Sequence, residues 1–249
     1  MSNLPRLCMF CSQGIVPAEL TMEHFVPKCL WEKKHRPDRM RTVPAHKACN
    51  TSFSEDNEYF RNILILEQGA TQKCEGAKTV AENTIRRMIA ERPGVLVAAA
   101  RNFRDRPVTT ETGLCVGIEP SFEVDVSRIQ RVLFNVMKGI YFTTQKLPMP
   151  QDFELEVYDT DHLDGAPYRR TVESMVDWQS FGDDVFCCRY RCFGTPAIGM
   201  ACLMKFYNNR MFYGAALSPQ MIEEERNRDV FIPSRPGSPI LIPRHRAEL

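Results

Sequence analysis

Four residues near the start of the chain have the types and spacing of a zinc site. Cys8 and Cys11 form a CxxC pair, and His46 and Cys49 form an HxxC pair that begins 35 residues after Cys11. Tetrahedral zinc prefers thiolates and imidazoles, and two ligands three residues apart can share one face of a tight turn or of the first turn of a helix. We therefore predict one structural Zn²⁺ bound by these four side chains.

A second set of polar residues lies between the two pairs and directly after them. Glu23 and His24 shortly precede Pro27, and Asn50 follows the last predicted zinc ligand. The segments TMEHFVPKCLW and TVPAHKACNTSFSEDNEYFR contain these residues, and they resemble the HNH endonucleases, in particular bacterial members with CxxC, acidic-His-x-x-Pro-Lys and CNxxFSxD motifs. The resemblance extends over about residues 5 to 62.

The resemblance implies a ββα-metal, or treble-clef, zinc finger in which a hairpin carries the acidic residue and the histidine and a helix carries the asparagine. It also implies that Glu23 and Asn50 bind a hydrated divalent cation, Mg²⁺ or Mn²⁺, and that His24 is the general base. Phosphodiester hydrolysis needs these two functions, because a base must activate water and a cation must stabilise the charge that develops on the phosphate. Oxygen ligands suit Mg²⁺ as thiolates suit Zn²⁺, so we expect two metals in two roles.

The sequence departs from the family pattern at three positions. Glu23 stands where Asp is usual, His46 stands where Cys is usual, and no central asparagine that would buttress His24 is evident. Asp56 is a further candidate metal ligand, but Asn57 faces the same way as the predicted metal-binding asparagine if the helix is unbroken. The alternative for the acidic residues near Asp56 is a solvated first helical turn that interacts with the helix dipole.

Positive charge is concentrated in the segment that joins the two motifs. The whole chain has a net charge of +1, whereas residues 28–47 contain seven basic and two acidic residues and therefore carry +5. A basic segment beside a nuclease site is expected to contact phosphates, and its alternative is an ordinary solvated loop. The predicted nucleic-acid contacts are Lys28, Lys33, Lys34, Arg36, Arg39 and Arg41. A weaker candidate for the same role is the group Arg101, Arg104 and Arg106.

The apolar pattern predicts an α+β fold in which helices precede an antiparallel sheet. Residues at helical spacing predict one helix that begins with Ser54 as its cap and two more over residues 77–91 and 127–145. The pattern then changes to alternation, which is typical of strands. The predicted strands cover residues 153–157, 185–193, 197–206 and 210–217, with the last two joined at Asn208 and Asn209 as a hairpin.

Length and composition agree with a globular protein. The chain has 249 residues, of which 43% are hydrophobic and 25% are charged. We predict a zinc domain at residues 1–62 and a second domain at residues 63–249, which ends in a proline-rich arm from residue 231. Ten scattered cysteines and the lack of a signal-peptide or membrane-helix pattern favour reduced thiols in the cytoplasm and no membrane partner. The sequence leaves a homo-oligomer open.

The function that these motifs favour is metal-dependent hydrolysis of DNA, with one strand nicked per active site. A first alternative is a non-catalytic zinc module that binds nucleic acid or protein, in which Glu23 and His24 form hydrogen bonds within the finger. A second alternative keeps the catalysis and makes RNA the substrate. Residues 63–249 contain no motif that indicates a chemistry, so the sequence does not predict target preference.

Overall fold

The computed structural model describes residues 6–38, 40–67, 69–91, 103–110, 112–160, 163, 166–181 and 184–226. Predictions for Arg39, Arg101 and the proline-rich arm lie outside these residues, and so does the side chain of Arg106. The described part combines helices with antiparallel sheets, which confirms the α+β class.

A β-hairpin followed by a short helix carries the HxxC pair and the residues around it. Its elements are strand β1 (Leu20–His24), strand β2 (Thr42–His46) and helix α1 (Lys47–Thr51). The strands pair antiparallel, with Leu20 opposite His46 and His24 opposite Thr42. Because α1 follows β2 without a loop, the two ligands of the HxxC pair lie on the end of the strand and the first turn of the helix. We call residues 6–51 the Cys/His unit.

Three helices follow the Cys/His unit. They are α2 (Ser54–Leu66), α3 (Ala70–Lys73) and α4 (Glu75–Glu91). The predicted apolar residues Phe60, Ile63 and Leu64 of α2 are buried. Ser54 is the first residue of α2, and its hydroxyl donates a hydrogen bond to the carbonyl of Thr51 and does not cap the helix. The predicted capping role of Ser54 is therefore wrong, although the start of the helix is correct.

The apolar stripe predicted for α4 is buried in the first half of the helix. Val80 and Ala81 are buried, whereas Ile85 and Ile89 are 46% and 61% exposed. The helix predicted over residues 77–91 is confirmed, and it begins two residues earlier than expected. Helical spacing shows that residues share one face, but it does not show how far a neighbouring element extends along that face.

A two-stranded antiparallel hairpin lies between α4 and the next helix, and it was not among the predicted elements. It consists of β3 (Phe103–Thr109) and β4 (Cys115–Phe122). Its apolar residues Leu114, Val116 and Ile118 alternate along the chain and are all exposed. These residues therefore contribute nothing to the hydrophobic core.

Helix α5 (Val126–Gln145) is the central element of the fold. The Asp125 carboxylate caps it by accepting hydrogen bonds from the backbone N–H groups of Ser127 and Arg128. The residues on its apolar face are all buried: Ile129, Val132, Leu133, Val136 and Ile140. The helix contacts α2, strand β2 and the main sheet. No helix in the described part of the chain is long and apolar enough to span a membrane.

The main sheet has five antiparallel strands. They are β5 (Glu154–Asp159), β6 (Gln179–Phe181), β7 (Phe186–Phe193), β8 (Gly199–Phe206) and β9 (Arg210–Leu217), in the order β5-β9-β8-β7-β6. Helices α6 (Ala166–Glu173) and α7 (Pro219–Arg226) complete the described elements. The β8–β9 hairpin is confirmed, and its turn holds Tyr207 and Asn208 at φ values of 52° and 50°, a region that favours asparagine among non-glycine residues.

Most buried apolar residues form one continuous cluster that extends from Cys8 to Ala216, and Met175, Ala201 and Leu203 form a second, small one. Phe25 and Leu30 of the Cys/His unit belong to the same cluster as the core stripe of α5 and the inner face of the sheet. The Tyr207 hydroxyl, at the tip of the β8–β9 hairpin, donates a buried hydrogen bond of 2.8 Å to the carbonyl of Leu30. The predicted domain boundary after residue 62 falls within α2, and the division into two domains stays a prediction.

Candidate metal centre and adjoining cleft

The structure brings Cys8, Cys11, His46 and Cys49 together. One potential ligand atom from each residue lies within 4.8 Å of the corresponding atoms of the other three. Three sulphurs and one imidazole nitrogen form a donor set that suits zinc in a structural site. The predicted grouping of these four residues is confirmed, and the cluster can hold a metal ion such as zinc.

Hydrogen bonds orient the imidazole of His46 for this role. Its Nε2 lies 3.2 Å from the carbonyl oxygen of Gly14, and a carbonyl can only accept, so Nε2 carries the proton. The other nitrogen, Nδ1, lies 3.4 Å from the sulphur of Cys11 and keeps its lone pair for a ligand bond. A backbone carbonyl that fixes the tautomer in this way is a common partner of metal-binding histidines.

The three thiols of the cluster do not ionise equally. Burial disfavours the Cys8 thiolate, but hydrogen bonds from the backbone N–H groups of Cys11 and His46 outweigh burial and lower the pKa of Cys8 to about 7. Burial and the adjacent sulphurs of Cys8 and Cys11 raise the pKa of Cys49 to about 12. Since three thiolates repel one another, uptake of a cation by the cluster would release protons.

Residues outside the Cys/His unit support the CxxC turn. Lys138 of α5 donates from Nζ to the carbonyl of Phe10, at 3.4 Å, and the Gln151 amide donates to the same carbonyl at 3.3 Å. The Gln151 amide also donates to the hydroxyl of Ser12 at 3.0 Å. The turn that supplies two candidate ligands is therefore attached directly to α5 and to the segment that follows it.

A small cleft, partly open to solvent, lies beside this turn. It is lined by Met9, Phe10, Glu23, His24, Phe25, Pro27, Phe53, Asn57, Val132 and Asn135. Its exposed lining is about equally polar and apolar, and the polar residues are Glu23, His24, Asn57 and Asn135. A concave site that combines apolar walls with a few polar groups is a candidate binding or catalytic site.

Glu23 combines burial with several polar contacts. Burial raises the pKa of its carboxyl group to about 7, while Lys28, the backbone N–H of His24 and the side chain of Asn50 oppose that increase. The Asn50 amide also donates to the Thr21 hydroxyl at 3.2 Å. Asn50 thus lies near Glu23 and is bonded to Thr21, but it is not among the residues that line the cleft.

His24 is half-buried at the end of β1, where the strand leads into the cleft. Burial lowers its pKa, and the positive charges of Lys28 and Arg36 lower it further. The imidazole is therefore neutral near pH 7 and can accept a proton. The residue opposite His24 in the hairpin is Thr42, so the position across the strand pair holds a hydroxyl and not an asparagine.

The two neighbouring candidates on α2 have different environments. Both carboxylate oxygens of Asp56 are paired, one with Nε of Arg128 and the other with Nε of Arg131, each at 2.7 Å. Asn57 lies in the cleft with Glu23 and His24. Asp56 therefore joins α2 to α5, and Asn57 is the α2 residue that can reach a ligand in the cleft.

The basic segment is only partly solvated. Lys28, Lys33, Lys34 and Arg41 are exposed, and the guanidinium of Arg41 lies 5.1 Å from the centre of the Phe181 ring. Arg36 differs, because its Nε atom is buried and has no hydrogen-bond partner among the described residues. On β3, the side chain of Arg104 is exposed. The segment thus offers several exposed cations close to the cleft.

Helix α5 contributes the cleft residues that sequence reasoning missed, Val132 and Asn135. The approach of the helix is very close at Gly139, where an added Cβ would lie 2.0 Å from Cβ of Phe25. The available signal was a polar residue, Asn135, beside the apolar stripe of a helix. That signal cannot identify the surface against which the helix packs.

The chain matches no protein-family model, no curated protein and no solved structure. A functional proposal for this chain is therefore based on its residues and on the geometry of the cleft.

Proposed function

We propose that the protein is a metal-dependent endonuclease that hydrolyses phosphodiester bonds in DNA and nicks one strand per active site. The observation that carries this proposal is the convergence of Glu23, His24 and Asn57 on one cleft beside the Cys/His cluster. The resemblance of the segments that contain these residues to the HNH endonucleases supports the same conclusion.

His24 acts as the general base in this proposal. A base for water must be neutral at the working pH and must reach the space where water and phosphate meet. Burial and the adjacent cations favour the neutral imidazole, and the side chain lines the cleft. The half-buried position also limits the amount of bulk water that competes for the imidazole nitrogen.

Glu23 and Asn57 are the oxygen donors for a catalytic divalent ion, Mg²⁺ or Mn²⁺, so that Asn57 takes the role that the family resemblance implies for Asn50. A carboxylate and an amide oxygen fit the preference of both ions for oxygen ligands. When bound, such an ion supplies charge stabilisation for the phosphate and for the leaving 3′ oxygen. Asn50 lies near enough to Glu23 to favour its charged form, which partly offsets the penalty that burial imposes. The Cys/His cluster holds a structural zinc ion, which fixes the CxxC turn next to the cleft.

The basic segment provides the attraction for a polyanion. Lys28 and Arg36 are near enough to His24 to lower its pKa, so they also lie near the position of a phosphate bound in front of it. The remaining lysines extend the positive surface away from the cleft.

A plasmid assay tests the proposal. Supercoiled DNA is incubated with the full chain in the presence of Mg²⁺, Mn²⁺ or EDTA, and the open-circular product is quantified. We expect nicking to depend on the divalent ion. The nicking rate of His24→Ala should be lower than that of the parent protein by about a hundredfold or more. His35→Ala is the matched control, because His35 is an exposed histidine of the same segment, and it should nick like the parent protein.

The outcome separates the three functions. A parent protein that does not nick DNA under any of these conditions, or a His24→Ala protein that nicks at the parental rate, contradicts the proposal. Cleavage of a single-stranded RNA in a parallel reaction, by a protein that gives no DNA product, makes RNA the substrate. Zinc content is measured for each protein, so that loss of activity through loss of the finger is recognised.

A further inference from the structure

Helix α5 forms one wall of the cleft, and Asn135 is its polar contribution. The other three polar side chains of the cleft come from β1 and α2, which belong to the segment that resembles the nucleases. Asn135 lies more than 70 residues beyond that segment in the sequence. The motifs of the first 62 residues therefore say nothing about its role.

The environment of Asn135 does not explain its presence as a structural residue. Its neighbours Val132 and Val136 are completely buried, and Asn135 itself is half-buried. Its side chain forms no hydrogen bond with any described residue. Asparagine is a poor helix former, and a half-buried amide without a partner stabilises neither the helix nor the core. An amide in this position can gain its hydrogen bonds from a molecule that enters the cleft.

The helix holds this amide in a fixed place relative to the reactive groups. Gly139, one turn further along α5, packs directly against Phe25, the residue that follows His24. Lys138 donates to the CxxC turn, and Arg128 and Arg131 are paired with Asp56 of α2. Since α5 is attached to α2 before Asn135 and to the Cys/His unit after it, the distance across the cleft is determined by packing.

From these observations we infer that Asn135 is a substrate-binding residue, whose amide Nδ2 donates a hydrogen bond to a non-bridging oxygen of the phosphate attacked in the cleft. This inference rests on the proposed nuclease function. A neutral donor suits this wall, because Lys28 and Arg36 supply positive charge from the side of His24. The helix that sequence reasoning placed in a separate domain thus completes the active site, and the finger without α5 lacks one of its substrate contacts.

Two substitutions of Asn135 distinguish phosphate binding from metal binding. Asn135→Ala removes the donor and improves helix propensity. Asn135→Asp keeps the size of the side chain but replaces the donor with a negative charge that repels phosphate. If the oxygen of Asn135 were a metal ligand, aspartate would keep or improve divalent binding, so the two roles predict opposite results for Asn135→Asp. Gln130→Ala on the same helix is the matched control, because Gln130 does not line the cleft.

The experiment uses the full chain and measures nicking over a range of DNA concentrations, Mn²⁺ affinity, zinc content and the thermal unfolding midpoint. We expect Asn135→Ala to lower kcat/KM for nicking about tenfold or more, as for loss of a hydrogen bond to a charged group. Asn135→Asp should lose more, with Mn²⁺ affinity and zinc content unchanged in both proteins. Gln130→Ala should match the parent. Should Asn135→Ala fail to fold, the isosteric Asn135→Asp protein carries the test.

Two results would overturn the inference and leave the nuclease function intact. One is a parental rate for Asn135→Ala, and the other is an Asn135→Asp protein that nicks like the parent or binds Mn²⁺ more tightly. If the parent protein and Gln130→Ala both fail to nick DNA with every divalent ion, the proposed function itself is wrong and the inference is wrong with it. Nicking by the parent protein therefore shows whether only the inference about Asn135 has failed or the proposed nuclease function has failed as well.

Discussion

Among the candidate ligands of the Cys/His cluster whose pKa values are shifted, the thiol of Cys49 is the least acidic. It is close to the sulphurs of Cys8 and Cys11, and their charge adds to the effect of burial and raises its pKa to about 12. A bound dication reverses this relation, because each thiolate then interacts with a positive charge in the centre of the cluster. The thiolate form of Cys49 therefore depends more strongly on a bound metal ion than that of Cys8 does.

Replacement of Cys49 by Ala should therefore abolish stable zinc binding. We expect about one zinc per parent chain and little zinc in the variant, together with a lower thermal unfolding midpoint, because metal binding contributes to folding free energy. Elemental analysis and thermal unfolding measure both effects. Cys115→Ala removes an exposed cysteine from β4 and should retain full zinc. A parent protein purified without chelators that contains no zinc would refute this assignment.

Residue types and spacing were sufficient to predict the four clustered ligands, because CxxC and HxxC pairs restrict local geometry strongly. Asn57 was favoured over Asp56 on the assumption of one unbroken helix from Asn50, but Asn50 lies on α1 and Asn57 on α2, so the place of Asn57 in the cleft does not follow from that spacing. Asn135 could not be predicted in the same way. Its place in the cleft depends on the packing of α5 against the Cys/His unit, and no local pattern contains that information.

One buried carboxylate of α2 forms ion pairs with two arginines of α5. Asp56 is 8% exposed and accepts hydrogen bonds from both Arg128 and Arg131, and the guanidinium of Arg128 lies 4.4 Å from the centre of the Tyr59 ring. Hydrogen bonds from Arg131 and then from Arg128 hold the pKa of Asp56 below its usual value of 3.8, although burial acts against this shift. The folded state therefore binds a proton at Asp56 less readily than the unfolded state does.

This difference predicts a pH-dependent effect of Asp56→Asn. A lowered pKa in the folded state stabilises the fold fully above pH 3.8 and loses that contribution as the pH falls towards the folded pKa. We expect the variant to lose about 1–3 kcal/mol of unfolding free energy at pH 7. The difference from the parent should shrink at about pH 3.

Urea denaturation at both pH values measures the effect of Asp56→Asn. Glu55→Gln is the control, because the side chain of Glu55 is exposed. Equal losses for Asp56→Asn at pH 7 and at low pH would show that the ion pairs are not the source of its effect.

The elements differ in how far the sequence could predict them. Helix α5 and the β8–β9 hairpin were predicted well, since a long apolar stripe and two strands around Asn208 are strong signals. Helix α4 was also predicted, but periodicity does not show that burial is confined to its first half, because it does not show where a neighbouring helix ends. The β3–β4 hairpin was missed although its apolar residues alternate, because Pro107, Gly117 and Pro120 lie within its strands and these residue types are disfavoured there.

Across the whole molecule, the positive charge is concentrated in one place. The net charge is +1, while residues 28–47 carry +5, so the rest of the chain is slightly negative. The segment that carries the positive charge leads from the end of β1 to the end of β2. Under the proposed function, we expect this segment to attract a nucleic acid towards the cleft.

Salt dependence tests this arrangement. Replacement of Lys33, Lys34 and Arg36 together by Ala should weaken binding to duplex DNA and should flatten the log–log salt dependence by about 0.9 for each phosphate that the variant no longer neutralises. Affinity is measured by titration of a labelled duplex at several salt concentrations. The control replaces Lys73 and Lys78 by Ala, which removes positive charge from α3 and α4. An unchanged slope in the triple variant would identify the segment as a solvated loop.

Strand β1 is held at both ends by groups that are distant in the sequence. At one end Leu20 lies opposite His46, a candidate metal ligand, and at the other end Phe25 fills the space that Gly139 leaves open. His24 lies between these two attachments, so its backbone becomes ordered when the chain folds and not when substrate arrives. Ordering a residue decreases conformational entropy by the equivalent of about 1–2 kcal/mol. Because folding has already incurred this loss for His24, binding of a ligand in the cleft does not incur it again.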